Sequence, residues 1–326
     1  NFGVDAGFFN NRLNVTFDVY QRRNFDEIAP TVTQLYGTAY ANVGSMKSWG
    51  EELSISSTNV KTNDFSWQTS LIYSHNRTEI TNLYNQGRVI DLVQGNGFAK
   101  QGYPARALFS IPFVGINEKG NPVCINEKGQ ATVGDLNFQE RNNTDYLIYE
   151  GSTDPIYNGS LGNTFNYKGF HLNLFLTYAF GNVVRLDPVF KAKYNDLTSM
   201  THDFKNRWMQ PGDENVTNVP GVVSRYEYEQ NRTLLSTACN AYNYTSVRTA
   251  KGDFIRLKEI SLAYDFPHRW LENSPVNNIS LKLQATNLML LYADKKLNGQ
   301  DPEFMNAGGV ASPMPKQFTL TLKLGL

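Results

Sequence analysis

The feature that most constrains this chain is a two-residue period that recurs along it, with connections of two unequal lengths between the repeats. In residues 1–9, Phe2, Val4, Ala6 and Phe8 share one face, and Gly3, Asp5 and Gly7 the other. Asn10 and Asn11 supply a tight turn. Leu13, Val15, Phe17 and Val19 then alternate with Asn14, Thr16, Asp18 and Tyr20. This is a hairpin pattern. Leu53 and Ile55 alternate with Glu52 and Ser54, and Phe65, Trp67, Thr69, Leu71 and Tyr73 follow after a turn. A strand at 159–167 leads through Lys168-Gly169 into Phe170, Leu172, Leu174, Leu176, Tyr178 and Phe180. Ile260, Leu262, Tyr264 and Phe266 form a further row, as do Ile279, Leu281, Leu283 and Ala285, and then Phe318, Leu320, Leu322 and Leu324. Ile255 and Leu257 are out of step with Ile260 onward, which places a bulge near Lys258-Glu259. Helical periodicity is weak, so the chain reads as about nine strands.

The connections alternate. Short turns fall near Asn10, Lys61, Lys168 and Asn273, and long excursions at 21–46, 77–151, 181–249 and 291–315. This asymmetry is that of an outer-membrane barrel, with short periplasmic turns and long extracellular loops. Loops this long are otherwise uncommon and usually functional. Aromatics fall where girdles belong: Phe65, Trp67, Phe170, Tyr264 and Phe266 at the turn ends, Tyr73, Tyr178 and Phe180 at the loop ends. A soluble β-sandwich also alternates, but calls for shorter strands and no systematic difference between connections. Bacterial barrels have an even number of strands. An odd count that begins on a strand at Asn1 implies that earlier strands lie outside the 326 residues, and that the chain is a piece of a longer one.

Composition fits this better than it fits the alternatives. The longest apolar run, Leu288 to Ala293, is far short of the ~18 residues of a membrane-spanning helix. A barrel strand needs only half its residues apolar, so a mean hydropathy of −0.43 does not exclude one. Thirty basic and thirty acidic residues cancel, which argues against a nucleic-acid partner. Length alone would suit two domains. Cys124 and Cys239 are too few for a disulfide framework and read as lone thiols.

No catalytic or metal-binding set emerges. His75, His171, His202 and His268 are scattered and read as lumen or loop residues. There is no nucleophile elbow and no phosphate loop. Asp301 and Glu303 have calcium-ligand chemistry, but solvated loop charge is the expectation. Neither an enzyme nor a cofactor is expected. Ile-Asn-Glu-Lys-Gly occurs at 116–120 and again at 125–129, which predicts two turns closed by left-handed glycines and a small protruding hairpin. Asn makes up about a tenth of the chain, so its N-x-S/T triplets are expected by chance.

An ordered set of short stations carries a resemblance. Phe8-Phe-Asn-Asn-Arg-Leu13, Asn42-Val-Gly44 with Gly50-Glu-Glu-Leu-Ser54, and Asp64-Phe-Ser-Trp67 come first. Gly102-Tyr-Pro104, Gly115-Ile-Asn117, Asn166-Tyr-Lys-Gly-Phe170, Asn206-Arg-Trp208, Phe254-Ile-Arg-Leu-Lys-Glu-Ile-Ser-Leu262 and Asn287-Leu288 follow. Together they resemble the C-terminal part of SusC/RagA-type TonB-dependent outer-membrane transporters. The resemblance implies a 22-stranded all-β antiparallel transmembrane barrel, with a plug and TonB box upstream of these residues. It also implies a SusD-like surface lipoprotein as lid, and import of oligosaccharides or oligopeptides energised through TonB. Leu326 departs from the aromatic that outer-membrane barrels favour at the last position.

On this reading residues 1–326 are one portion of a single barrel domain in the bacterial outer membrane, with long loops outside and the C-terminus periplasmic. Val15, Phe17, Leu71, Leu172, Leu174, Leu176, Leu281, Leu283, Leu320 and Leu322 face lipid. Asp18, His171, Asn173, Lys282, Gln284, Thr319, Thr321 and Lys323 face the lumen, and all but Asp18 are the candidate substrate path. Asn206, Arg207 and Trp208 are the candidate loop contact for lid or substrate, against the simpler alternative of internal loop packing. A non-importing structural or secretion-associated barrel on the same scaffold is the competing function.

Overall fold

The computed structural model describes residues 1–33, 37–194, 199–272, 275–305 and 315–325, with side chains described except at 28–41 and 43. Four strands open the chain: β1 (Phe2–Phe8), β2 (Leu13–Thr33), β3 (Gly37–Lys61) and β4 (Phe65–Leu83). A first excursion carries the helix α1 (Val89–Val93) and the short strands β5 (Ala107–Ser110), β6 (Phe113–Ile116), β7 (Pro122–Ile125), β8 (Ala131–Thr132) and β9 (Ile148–Ser152). The hairpin β10 (Tyr157–Tyr167) and β11 (Phe170–Phe180) returns to the wall. A second excursion holds β12 (Val183–Arg185), α2 (Arg225–Gln230), α3 (Arg232–Asn243) and β13 (Thr249–Lys251). Last come β14 (Phe254–Asp265), β15 (Asn278–Ala293) and β16 (Gln317–Gly325).

Nine of these form one antiparallel sheet in the order β1-β2-β3-β4-β10-β11-β14-β15-β16. Neighbours in space are neighbours in sequence once the excursions are removed, which is an up-and-down wall. Register puts like on like, because directly opposed residues share a face. One apolar row runs Ala6–Val15–Ile55–Leu71–Leu161–Leu176–Leu257–Met289 across eight strands. Others run Leu172–Leu262–Leu283–Leu320 and Phe170–Tyr264–Leu281–Leu322. Among the described residues this apolar face stands open along β15 and β16: Leu283, Leu320 and Leu322 are all more than half exposed.

Two aromatic belts bound that face. At the turn end, Trp67 stacks on Phe165 with centroids 5.7 Å apart, and Phe170, Tyr264 and Phe266 follow at 4.4 and 5.1 Å. At the loop end, Tyr73 meets Tyr157 at 6.3 Å, and Tyr178, Phe180 and Tyr292 continue at 5.7 and 6.4 Å. Phe170 and Tyr178 are eight residues apart on β11. At ~3.4 Å per residue and a tilt of ~40°, the belts are about 21 Å apart along the barrel axis, close to the ~25 Å apolar band of outer-membrane barrels.

Several expectations change. Residues 21–46 are not an open excursion: β2 and β3 stay paired as far as Thr33 and Gly37. Arg22, Arg23, Asn24, Asp26 and Glu27 put polar groups on both faces, so the alternation vanishes while the backbone ladder continues. The first large loop starts after Leu83 rather than near 77. The parity break does mark a bulge: Phe175 opposes Glu259 while Leu176 opposes Leu257, leaving Lys258 extra. The Asn287-Leu288 station is its counterpart on β15, with Asn287 at φ 55° in a conformation Asn tolerates better than most residues. His75 lies on the apolar face, stacked 4.9 Å from Tyr157, rather than in lumen or loop. The predicted turn at Asn273 and the final Leu326 lie outside the described residues.

The conventional hydrophobic core is in the loops. Val89, Leu92, Val93, Phe109, Ile111 and Leu147 pack around Cys124. Val184, Leu186, Ala250, Leu297 and Met305 form a second cluster, and Val189, Phe190, Cys239 and Tyr242 a third. The predicted hairpin at the repeated pentapeptide is a three-stranded meander of β6, β7 and β8, built into this layer rather than protruding from it. Gly120 and Gly129 close its two turns at φ 77° and 73°, as the pentapeptides require.

Candidate functional site

The face opposite the apolar rows is polar, and the register gathers the candidate path residues on it. Thr164, Asn173, Ser261, Gln284 and Thr319 form one cross-strand row. The next row is Asn166, His171, Ala263, Lys282 and Thr321, and the third joins Asp265 and Ser280 to Lys323. All seven candidates therefore occupy three adjacent rows near the turn end of the wall. Hydrogen bonds hold two of them to neighbours on the same face: Thr164 donates to Asn173 at 3.2 Å, and the His171 ring bridges Asn166 Oδ1 at 2.5 Å and Asp265 Oδ2 at 2.9 Å. Ser66 Oγ accepts from Asn166 at 2.9 Å, extending the chain to β4. Such a surface offers hydrogen-bond donors and acceptors and charges of both signs, so it suits loose contact with polar solutes.

Above the wall, three buried arginines tie the excursions down. Arg185 follows directly from β11 through β12. It donates to Ser110 Oγ (3.1 Å), Thr245 O (2.8 Å), Val93 O (3.2 Å) and Phe109 O (2.7 Å). One guanidinium thus fastens both large excursions to each other. Its burial disfavours the charged form and lowers its pKa to about 10, which leaves it protonated at neutral pH. Arg248 donates to Asp203 Oδ2 at 2.7 Å and to Asp187 O at 2.6 Å. Burial alone would raise the Asp203 carboxyl, but the hydrogen bonds from Arg248 and Asn298 and the Arg248 charge outweigh it. Asp203 is held below the usual carboxylate range. Arg256, on the polar face at the loop end of β14, pairs with Asp301 at 2.6 Å and with Glu303 at 3.2 Å.

That last pair corrects an expectation. Asp301 is 1% exposed and neutralised by Arg256, so it is neither solvated nor free for calcium. No group of three or more metal-ligating side chains occurs among the described residues. Because Arg256 points to the polar face, the loop carrying Asp301 bends inward over that face. Sequence reading missed all three arginines. Their partners are 45 to 92 residues away, and nothing local distinguishes them from solvated bases.

Asn206, Arg207 and Trp208 lie in the second excursion. The Trp208 indole donates to Glu214 Oε2 at 2.9 Å and lies over Gly120 and Gly221, where a Cβ would come within 2.5 and 2.8 Å of the ring. The Arg207 guanidinium stacks 4.5 Å from the Phe204 ring, and the Asn206 carbonyl accepts from the Thr217 hydroxyl. Trp208 thereby joins the second excursion to the β6–β8 meander of the first. Cys124 and Cys239 are both free thiols, and burial pushes each up to about 12.

No family model matches the chain. A TonB-dependent receptor of Formosa agariphila is 25% identical over 370 residues, covering 96% of this chain and 33% of its own length. The TonB-dependent receptor SusC of Bacteroides thetaiotaomicron is 25% identical over 344 residues, covering all of this chain and 31% of its own length. Among solved structures, that of the RagAB peptide transporter superposes with a TM-score of 0.74 at 23% identity, over 99% of this chain and 34% of that one. The chain spans about a third of the length of the curated relatives it matches. Along its whole length the chain is similar to the SusC-type TonB-dependent receptors, and its nine-stranded sheet has the fold of the corresponding part of a TonB-dependent transporter barrel.

Proposed function

We propose that these residues are the C-terminal strands of one importer barrel, whose plug and earlier strands belong to the rest of the protein. The apolar rows face lipid, the polar rows face the lumen, and the loop layer with its arginine ties is extracellular. A SusD-like lipoprotein lids that layer, and oligosaccharides or oligopeptides pass inward at the expense of TonB-coupled energy. The observation that carries the reading is the wall itself: apolar rows between two aromatic belts, backed by a polar face, with both large excursions at one end. His171, Asn173, Lys282, Gln284, Thr319, Thr321 and Lys323 act as exchangeable hydrogen-bond partners along the path.

Orientation is tested with cysteines at exposed positions on opposite ends, Lys119→Cys in a loop turn and Asn63→Cys in the β3–β4 turn. In intact cells an impermeant maleimide labels Lys119→Cys alone, and the reverse result inverts the topology. Import is tested by deleting the gene and following uptake of labelled oligosaccharides and oligopeptides. Unchanged uptake of every probe would leave a scaffold role in place of transport.

A further inference from the structure

The outward face of the wall changes character above the loop-end belt. On β4 the alternation that places Tyr73 on the apolar face continues without a shift through His75, Arg77 and Glu79. Register brings their opposites to the same face. Glu51 opposes His75, Trp49 opposes Arg77 and Gln21, and Lys47 opposes Glu79 and Arg23. Three cations, Arg23, Lys47 and Arg77, thus stand outward around one indole. Lys47 Nζ lies 5.3 Å from the Trp49 ring centroid, and the Arg77 guanidinium 5.9 Å. Cation–π contact of this kind holds a cation in place without neutralising it.

Two carboxylates share this face, and both are engaged. Glu79 pairs with Lys47 at 2.9 Å. Glu51 accepts from the Tyr73 hydroxyl at 3.4 Å and lies 3.8 Å from His75 Nδ1. Arg23 and Arg77 are exposed, and neither forms an ion pair with a carboxylate among the described residues. An exposed arginine is ordinarily no more than solvated, but these two stand on the side of the wall that meets lipid. Arg77 lies four residues beyond Tyr73, about 10 Å above the belt at ~3.4 Å per residue and ~40° of tilt. The Arg23–Lys47 row stands two residues further. We propose that this patch binds the phosphates of an anionic glycolipid in the surrounding leaflet. The proposal rests on the importer reading for its orientation alone, loop end outward, and concerns the lipid around the barrel rather than the solute passing through it.

Height and charge both select that occupant. The headgroup layer of a phospholipid bilayer is only ~5–7 Å thick on each side. A phospholipid phosphate therefore stays below Arg77, whereas a lipid with a phosphorylated saccharide head carries phosphate up to it. A zwitterionic head would bring an ammonium group against Arg23 and Arg77. A phosphate suits them, because a guanidinium offers paired N–H donors in a fork that matches two of its oxygens. Below the cations, Tyr73, His75 and Tyr157 form an aromatic step, with the His75 and Tyr157 rings stacked at 4.9 Å. Such rings favour the level where acyl chains give way to headgroups. The same strand supplies a matched cation on the other face: Arg22, next to Arg23 in sequence, stacks 5.2 Å from the Tyr20 ring on the polar side.

The test is native mass spectrometry of the full-length protein in detergent, titrated with three lipids. These are deep-rough lipopolysaccharide, the same material dephosphorylated, and phosphatidylglycerol. The phosphorylated glycolipid is expected to bind the unaltered protein about tenfold more tightly than either of the others, as charge-assisted hydrogen bonds to phosphate require. Arg23→Gln with Arg77→Gln is expected to remove that preference, and Arg22→Gln, on the opposite face, to leave it intact. Heat-modifiable mobility on gels checks that each variant is a folded barrel, and the dephosphorylated probe tests the same point on the unaltered protein. The proposal is overturned if the two glycolipid forms bind alike, if the double variant keeps the preference, if Arg22→Gln removes it, or if phosphatidylglycerol binds as tightly through the same two arginines. Labelling of Lys119→Cys in intact cells reports separately. Failure of glycolipid binding with that labelling intact sinks only this site, whereas inverted labelling sinks the orientation and with it the leaflet in which the glycolipid was placed.

Discussion

Placing a charge at the centre of each face of β11 separates a membrane wall from every soluble alternative. Leu174 and Asn173 are sequence neighbours on opposite faces of the same strand. Leu174 opposes Asn163 on one side and Ile260 on the other, four residues from Phe170 in the lower belt and four from Tyr178 in the upper. At ~3.4 Å per residue and ~40° of tilt, that puts it about 10 Å from either belt, at the middle of the apolar band. Arginine there should cost about 2–4 kcal/mol, the depth-dependent penalty for a cation facing lipid at the midplane. Asn173 sits in the polar row between Thr164 and Ser261. Asn173→Arg loses only the 3.2 Å hydrogen bond from Thr164, about 1 kcal/mol or less, and the new charge stays wet. The ratio of folding equilibrium constants between the two variants should then be about tenfold or more, at 1.4 kcal/mol per decade. Folding of the full-length protein into phospholipid vesicles, titrated with guanidinium and followed by tryptophan fluorescence, measures it. Equal stabilities within about 0.5 kcal/mol, or a reversed order, would refute the assignment of faces.

Arg256→Met leaves the carboxylate of Asp301 buried and unpaired, which should cost about 3–5 kcal/mol of local stability. Limited proteolysis should then cut at 294–305, and adding Asp301→Leu should restore most of the protection. Because the Asp203 carboxyl is depressed in the folded state, its contribution is complete above the ordinary carboxylate value of ~3.9 and is lost as pH falls through the lower folded value. Hydrogen exchange of residues 199–248 should accelerate below about pH 4, and Asp203→Asn should abolish that dependence. Gly120→Ala forces a side chain into φ 77° against the Trp208 ring, and should destabilise the loop layer by about 1–3 kcal/mol in thermal melts monitored by near-ultraviolet dichroism.

What the sequence revealed follows from where periodicity has a physical cause. Between the belts each residue sees either hydrocarbon or water, so a period of two is enforced and the strand register can be read. The bulge at Lys258 was legible for the same reason, because one extra residue flips parity. Above the upper belt both faces of β2 and β3 are wet, the constraint lapses, and paired backbone at 21–27 and 44–46 looked like loop. The loop layer has no period at all. Val89, Ile111, Leu147 and Ala241 come from distant segments to one cluster, and Arg185 reads in sequence like any surface base. That the seven candidate residues share one face was legible because they ride on the period. The setting of Arg248 was not, because its partners Asp203 and Asp187 come from separate segments with no pattern of their own.

The division between wall and loop layer also predicts how stability is distributed. The wall has two faces and no buried core of its own. Its apolar side gains from lipid and its cohesion from a continuous ladder of backbone hydrogen bonds, which lipid makes obligatory. The loop layer resembles a small soluble protein, with three buried clusters, three short helices, and two buried arginines, Arg185 and Arg248, that donate to carbonyl, hydroxyl and carboxylate oxygens. Its ties to the wall include Arg185 just beyond β11, Arg256 within β14, and β4, where Ile80 exchanges backbone hydrogen bonds with Gly102 and Tyr103. Changes on the lipid side of the wall should therefore alter insertion while leaving loop protection intact, and changes at Gly120 or Asp203 should do the reverse. Arg256 is where the two must couple, since it belongs to a wall strand and its carboxylate partners, Asp301 and Glu303, lie in the loop. A substitution there that loosens both together would identify it as the residue through which the state of the loops is felt by the barrel.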